Sequence, residues 1–194
     1  MVAGADRVVD LAEVPLDLEG ISSAWLAEKN TREKRFSLGR FDRAYLMQMP
    51  VAVVRRAGHI VAFANLWLGA EKEEMSLDLM RHDSAAPPGV MDYLFVKLMQ
   101  WGQQRGYHWF NLGMAPLAGL DGDELGSLWS RVGTLVFRNV EHFYSFQGLR
   151  EFKDKFDPVW SPRYLAAPSL LKLPIVLSNV AALISGGLTG VVIR

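Results

Sequence analysis

Two stretches of the chain gather side chains able to do chemistry. The first, EHFYSFQGLREFKDKFDPVWSPRY at 141–164, sets Phe143, Tyr144, Phe146, Phe152, Phe156 and Trp160 among Glu141, His142, Arg150, Lys153, Lys155 and Arg163. The second, SLDLMRHD at 76–83, closes an apolar run with Asp78 and Arg81. Carboxylates accept protons or anchor a cation, while Lys and Arg stabilise an oxygen that gains negative charge in a transition state. We read the two stretches as halves of one active site. Histidine titrates near neutral pH, which makes His142 a candidate general base, although a lone histidine among rings is more often structural. Blander readings exist for two others: Asp78 as an ion-pair partner of Arg81, and Lys153 as part of a solvated helix face beside Glu151, Asp154 and Lys155. His59, His82 and His108 lack metal-ligand spacing together, no acidic cluster suggests a hard-cation site, and there is no cysteine. No metal is expected.

Holding these groups requires strands and helices that the apolar pattern makes visible. Residues 1–17 read as an irregular N-terminal segment with one short strand near Arg7 to Val9, and Ile21, Ala24, Trp25 and Glu28 share a stripe that predicts a helix over 18–29. FSLGRFD reads as a loop whose Arg40 and Arg43 are either solvated or substrate-facing. MPVAVVRR and HIVAFANLWLG flank Ala57-Gly58 and predict an antiparallel hairpin buried on both faces. In MSLDLMRH, alternation sends Met75, Leu77 and Leu79 one way and Ser76, Asp78 and Met80 the other. Asp78 and Arg81 then converge only if the strand bulges or ends near Met80, and bulges recur beside active sites. Pro87-Pro88-Gly89 introduces a helix with the stripe Met91, Leu94, Phe95, Leu98, Trp101 and Gly102, stopped by Gly106. YHWFNLG predicts a strand, DGDE at 121–124 opens a shorter helix, and WSPRYLAAP predicts a last strand. Leu173 to Ile193 carries no charge; its prolines, glycines and polar residues favour a docked helix or a membrane-surface segment over a true span.

The chain has 194 residues, half of them apolar, which is enough for one core. Lys plus Arg and Asp plus Glu are 21 each, so no global field draws it to nucleic acid or to an anionic surface, and any such contact is a local patch. Absence of cysteine suits a reducing compartment, and the N-terminus lacks a basic segment followed by an apolar run, so no secretory signal is read. The expected organisation is a helical segment and loop over 1–46, a catalytic half-domain over 47–167 and an apolar tail over 168–194.

The order hairpin, bulged strand, long helix, strand, helix, strand resembles the acetyltransferase-like (GNAT) fold, an α/β (α+β) architecture with a mixed, mainly antiparallel sheet flanked by helices. That fold grips coenzyme A pyrophosphate with backbone amides of a glycine-rich loop before the long helix. Here the loop is RHDSAAPPGV, with one glycine and two prolines that lack an N–H. The fold fits better than its usual acyl donor does. FSLGRFD, SLDLMRHD, FNLGMAPLAG and FYSFQGLREFKDKFDPVWSPRYLA together resemble the C-terminal catalytic domain of the phosphatidylglycerol aminoacyltransferases, the lysyl- and alanyl-phosphatidylglycerol synthases, over about residues 30–167.

That resemblance implies a catalytic region of two acetyltransferase-like halves behind a multi-span membrane domain, of which this chain holds the second half. It implies transfer of an amino acid, alanine in preference to lysine, from the acceptor end of aminoacyl-tRNA to the glycerol head group of phosphatidylglycerol. Such a reaction changes lipid charge and resistance to cationic antimicrobials at the cytoplasmic face of the bacterial inner membrane. No cofactor is needed beyond the tRNA co-substrate. The residues expected to react are Asp78 and Glu141 as carboxylates and Arg81 and Lys153 as cations, with Arg163, His142, Tyr144 and Trp160 binding substrate, the last two as rings able to stack on the terminal adenine. Two other readings compete: an acetyl-CoA-dependent N-acetyltransferase, and a module that binds lipid or a partner without catalysis.

Overall fold

Residues rich in β-branched and aromatic side chains meet on either side of a two-residue turn, where Ala57 (φ 49°) and Gly58 (φ 81°) are both left-handed. That twist matches a tight turn to its two strands, so the hairpin predicted from sequence forms where expected. The structure is a computed structural model and describes residues 5–8, 18–28, 39–115, 146–164, 166, 168–169 and 172–185. By contacts the chain divides into two units, Met1–Asn111 and Leu112–Arg194. The first contains, in order, β1 (Ala5–Val8), α1 (Leu18–Glu28), the single turn α2 (Arg43–Leu46), β2 (Val51–Arg56), β3 (His59–Leu68), β4 (Glu74–His82), α3 (Val90–Gln104) and β5 (Trp109–Asn111). In the second, the helices among the described residues are α4 (Phe146–Asp154) and α5 (Leu173–Ser185).

The five strands lie in the order in which they occur, antiparallel from β1 to β4, with β5 parallel to β4. Each face of this sheet carries its own core. Ala52, Val54, Ala62, Ala64, Leu66 and Met75 pack with Val90, Leu94 and Leu98 of α3. On the opposite face Val51, Val53, Ile60, Phe63 and Leu79 pack with Leu18 and Ile21 of α1 and Leu46 of α2. Burying one such side chain contributes about 1.5–3 kcal/mol, so the hairpin's apolar arms are explained by helices on both sides. This is the mixed, mainly antiparallel acetyltransferase-like arrangement expected from the element order. Gly106 at φ 81° ends α3's last turn as predicted.

β4 departs from the simple alternation read from sequence, and the departure matters. Ala64 pairs with Met80 and Leu66 with Leu77, so two residues of β4, Asp78 and Leu79, oppose one of β3, Asn65. The extra residue is a β-bulge at Asp78-Leu79. Past it the faces exchange: Leu79 joins the α1 side rather than following Met75 and Leu77, while Met80 packs on the α3 side. A second expectation fails outright. Residues 160–164, the start of the WSPRYLAAP stretch anticipated as a last strand, adopt no regular structure; Pro162 has no N–H for a ladder. The helix expected after DGDE at 121–124 falls outside the described residues.

Candidate active site

The bulge decides where Asp78 points. A regular strand would separate it from Arg81 by a face. Instead both reach the α1–α2 side. The Tyr45 hydroxyl, on α2, donates to Asp78 Oδ2 at 2.8 Å, and the Arg81 guanidinium lies 4.2 Å from the centre of the Trp25 ring on α1. Arg81 also donates through Nη1 to the Met80 carbonyl at 3.0 Å. The condition under which these two residues converge is therefore met.

Several neighbours hold the bulge in this form. Asn65 of β3 is fully buried, and its Oδ1 accepts the Leu79 amide at 2.7 Å, satisfying an N–H that the irregular ladder would otherwise leave without a partner. Trp67 donates its Nε1 to the Tyr45 oxygen at 2.9 Å. The phenol thus accepts from one side and donates to the carboxylate on the other. Burial, first, and the hydrogen bond to Asp78 raise the Tyr45 pKa above its ordinary value, which keeps the phenol protonated as a donor. At the N-terminus of α2, Asp42 caps the turn by accepting from the Tyr45 amide at 3.1 Å. Gly39 brings the chain ahead of α2 directly against the bulge: a Cβ there would sit 2.7 Å from the Leu79 nitrogen and 2.8 Å from Asp78 Oδ1. Phe41 of the same stretch meets Phe63 edge-on at 6.3 Å. Arg40 is exposed and pairs with Asp42 at 2.8 Å.

The second unit joins the two remaining motifs at Lys153. Its side chain, read in isolation as solvated, is only 5% exposed. The Nζ donates to the Met114 carbonyl at 2.6 Å, within the segment that follows Gly113 (φ 74°). The glycine adopts the left-handed turn there, and a Cβ at Gly113 would stand 3.7 Å from that nitrogen, an ordinary contact. Burial lowers the Lys153 pKa to about 8, which leaves a cation at neutral pH able to give up its proton just above it. The other cations of the segment are differently engaged. Arg150 lies over the Trp160 ring at 5.3 Å and within 3.6 Å of Asp154, and the Lys155 ammonium sits 5.0 Å from the Phe152 ring. Trp160 donates Nε1 to Asp154 Oδ1 at 2.8 Å, which fixes an indole that stays partly open to solvent. Arg163 is exposed, its Nη1 donating to the Pro162 carbonyl at 3.3 Å.

Of the anticipated site residues, Asp78 and Arg81 thus belong to the first unit, and Lys153, Trp160 and Arg163 to the second. Glu141, His142 and Tyr144 lie outside the described residues. Tyr45, Trp67, Trp25 and Asn65 were missed; Asn65 had a signal, a polar amide in the otherwise apolar run HIVAFANLWL. Among the described residues no group of three His, Asp or Glu is placed to hold a metal ion. In the loop before α3, four amides donate within the chain. Asp83 donates to the Val61 carbonyl at 2.9 Å, Ala85 to Asp83 Oδ1 at 2.7 Å, Ala86 to the Asp83 carbonyl at 3.0 Å and Val90 to the Pro87 carbonyl at 3.2 Å. Those four amides would have to break these bonds to meet a pyrophosphate.

Comparison with known proteins places these residues in a family context. The model of the family described as phosphatidylglycerol lysyltransferase, C-terminal, matches residues 6–167. The phosphatidylglycerol lysyltransferase of Bacillus subtilis is 44% identical over 170 residues, covering 87% of this chain and 20% of that protein. That of Staphylococcus xylosus is 36% identical over 150 residues, covering 77% and 18%. Among solved structures, a C-terminal domain from Agrobacterium fabrum assigned to a lysylphosphatidylglycerol synthetase is 46% identical with a TM-score of 0.77, over 94% of this chain and 55% of that one. L-PGS from Bacillus licheniformis is 40% identical with a TM-score of 0.76, over 93% and 55%. The chain spans a fifth or less of these curated relatives.

Proposed function

Because the chain belongs to the phosphatidylglycerol lysyltransferase C-terminal family, we propose that it supplies one half of a catalytic region that moves an amino acid from aminoacyl-tRNA to the glycerol head group of phosphatidylglycerol. The remaining half and a membrane domain complete the enzyme at the cytoplasmic face of the bacterial inner membrane, where the added amino group reduces the negative charge that cationic antimicrobials seek. A lipid hydroxyl attacks the ester carbonyl, forming a new C–O bond. The bond to the ribose oxygen breaks, and that oxygen ends with the proton the lipid gave up. Asp78, oriented by Tyr45, receives the donor's α-ammonium. Glu141 or its neighbour His142 takes the hydroxyl proton. Arg81 and Lys153 stabilise the oxyanion and the phosphate, while Arg163 meets phosphate and the rings of Trp160 and Tyr144 offer stacking faces to the acceptor end of the tRNA.

The observation that carries this reading is Lys153. A long flexible cation is rarely withdrawn from water without a task, because desolvation works against its charge. This one is buried in the matched region, its ammonium donating to the Met114 carbonyl. The relatives above are named lysyltransferases, so lysyl-tRNA is the first donor to test, with alanyl-tRNA beside it. Labelled lysyl- and alanyl-tRNA are incubated with phosphatidylglycerol vesicles and a protein holding both halves. Labelled lipid that disappears when Lys153 is replaced by Ala is expected; equal lipid labelling by the Lys153→Ala protein sinks the assignment.

A further inference from the structure

The last helix carries apolar side chains that the rest of the described structure leaves uncovered. On α5, Ile175 is 62% exposed, Leu183 54% and Val180 37%. Large apolar side chains left open in a group mark an interaction surface. The charge of the surrounding segment narrows the choice of occupant. From Ser169 to Arg194 the charged residues are Lys172 and Arg194, both cationic, with no Asp or Glu between them. Leu173 to Ile193 is uncharged, so nothing acidic repels an anionic surface. α5 has 13 residues, about 20 Å of helix at the usual rise, against the roughly 30 Å of a bilayer's hydrocarbon core. Among the described residues no helix is long and apolar enough to cross a membrane.

We propose that α5 seats the protein on an anionic bilayer surface, its exposed Ile175, Val180 and Leu183 entering the headgroup boundary while Lys172 meets lipid phosphates. An apolar face supplies most of such binding, and flanking cations add a smaller share that depends on anionic lipid. The proposal rests on the lipid-acceptor reading above, since the lipid that the relatives are named for is anionic, yet it needs no turnover to be measured. The two fail separately: unchanged lipid labelling by Lys153→Ala counts against the reaction alone, and vesicle partition unchanged by substitutions on α5 counts against the surface alone.

The test uses the 194-residue chain and sedimentation with two vesicle types, phosphatidylcholine alone and phosphatidylcholine containing phosphatidylglycerol. The chain is expected to sediment with the anionic vesicles. Ile175→Asp combined with Leu183→Asp should lower that partition at least tenfold with an unchanged melting temperature, because both positions are open to solvent. Lys172→Glu should weaken binding severalfold on the anionic vesicles and leave the neutral ones unaffected. Equal partition of the parent chain and the double variant overturns the proposal. So does early melting of the double variant, which would mean that the face is packed inside the protein. A dimer in vesicle-free buffer that the same double change dissociates would make a second copy the occupant and overturn it equally.

Discussion

Lys153 has to be a cation to do what is assigned to it, and its surroundings work against that charge. Burial brings its pKa from the ordinary 10.5 to about 8, and the sign of the consequences can be worked out. In the unfolded chain the amine keeps its proton up to about 10.5, so between about 8 and 10.5 the unfolded state binds more protons and stability rises with pH. The cost of burying the charge is fully present below about 8. Catalysis runs the other way, because the stabilising charge is lost as pH climbs through about 8. We expect transfer to fall on the alkaline side with a midpoint near pH 8 while the thermal stability of the second unit does not fall with it. A pH profile of lipid labelling beside melting curves checks this, and a flat profile to pH 9.5 would refute it. Lys153→Ala should cripple transfer and Lys153→Arg restore part of it, since both proposed roles need positive charge. Lys155→Ala, which removes a cation stacked on Phe152, should cost less than about tenfold, or 1.4 kcal/mol in barrier. Equal losses at 153 and 155 would indicate a diffuse electrostatic patch. Asp78→Asn keeps the shape that accepts from Tyr45 and removes the charge. It should reduce transfer by roughly a hundredfold or more with little change in melting, whereas early melting of an active protein would mark Asp78 as structural.

At the level of elements, the bulge in β4 is what turns a strand into a site. Its extra residue puts Asp78 and Arg81 on one face, and two neighbours hold it there: Asn65, which accepts the Leu79 amide, and Gly39, which has no room for a Cβ. Asn65→Ala leaves a buried N–H without its acceptor and should destabilise the first unit by about 1–3 kcal/mol; chemical denaturation measures this, and a change under 0.5 kcal/mol would show that the bulge does not depend on it. Sequence carried part of this design. The hairpin, α3 and the turn at Ala57-Gly58 were legible because the apolar period and the turn residues agree. The bulge could only be posed as a condition, since one inserted residue leaves no trace in an alternating pattern until the partner strand's register is known. For Lys153 the blander reading of a solvated helix face could not be discarded from its neighbours in sequence, because the carbonyl it meets belongs to Met114, 39 positions earlier. The false strand over WSPRY had a warning in it, as Pro162 denies the ladder a donor.

Over the whole molecule, architecture and donor chemistry come apart. The element order that predicts an acetyltransferase-like sheet also brings coenzyme A to mind as a donor, but fold alone does not name the substrate. The loop before α3 gives a physical reason to expect weak binding of that donor: Pro87 and Pro88 have no N–H, and the amides of Asp83, Ala85, Ala86 and Val90 already donate within the chain. A pyrophosphate would have to break those bonds before making its own, and Asp83 would face it with like charge. A ligand present at a hundred times its dissociation constant stabilises the folded state by about 2.7 kcal/mol, which raises the melting temperature of a chain this size by roughly 5–10 °C. Titration with millimolar acetyl-CoA is therefore expected to leave the melting curve in place. A saturable upward shift of several degrees, lost when Gly89 is replaced by a bulkier residue, would restore the N-acetyltransferase reading and displace the lipid one.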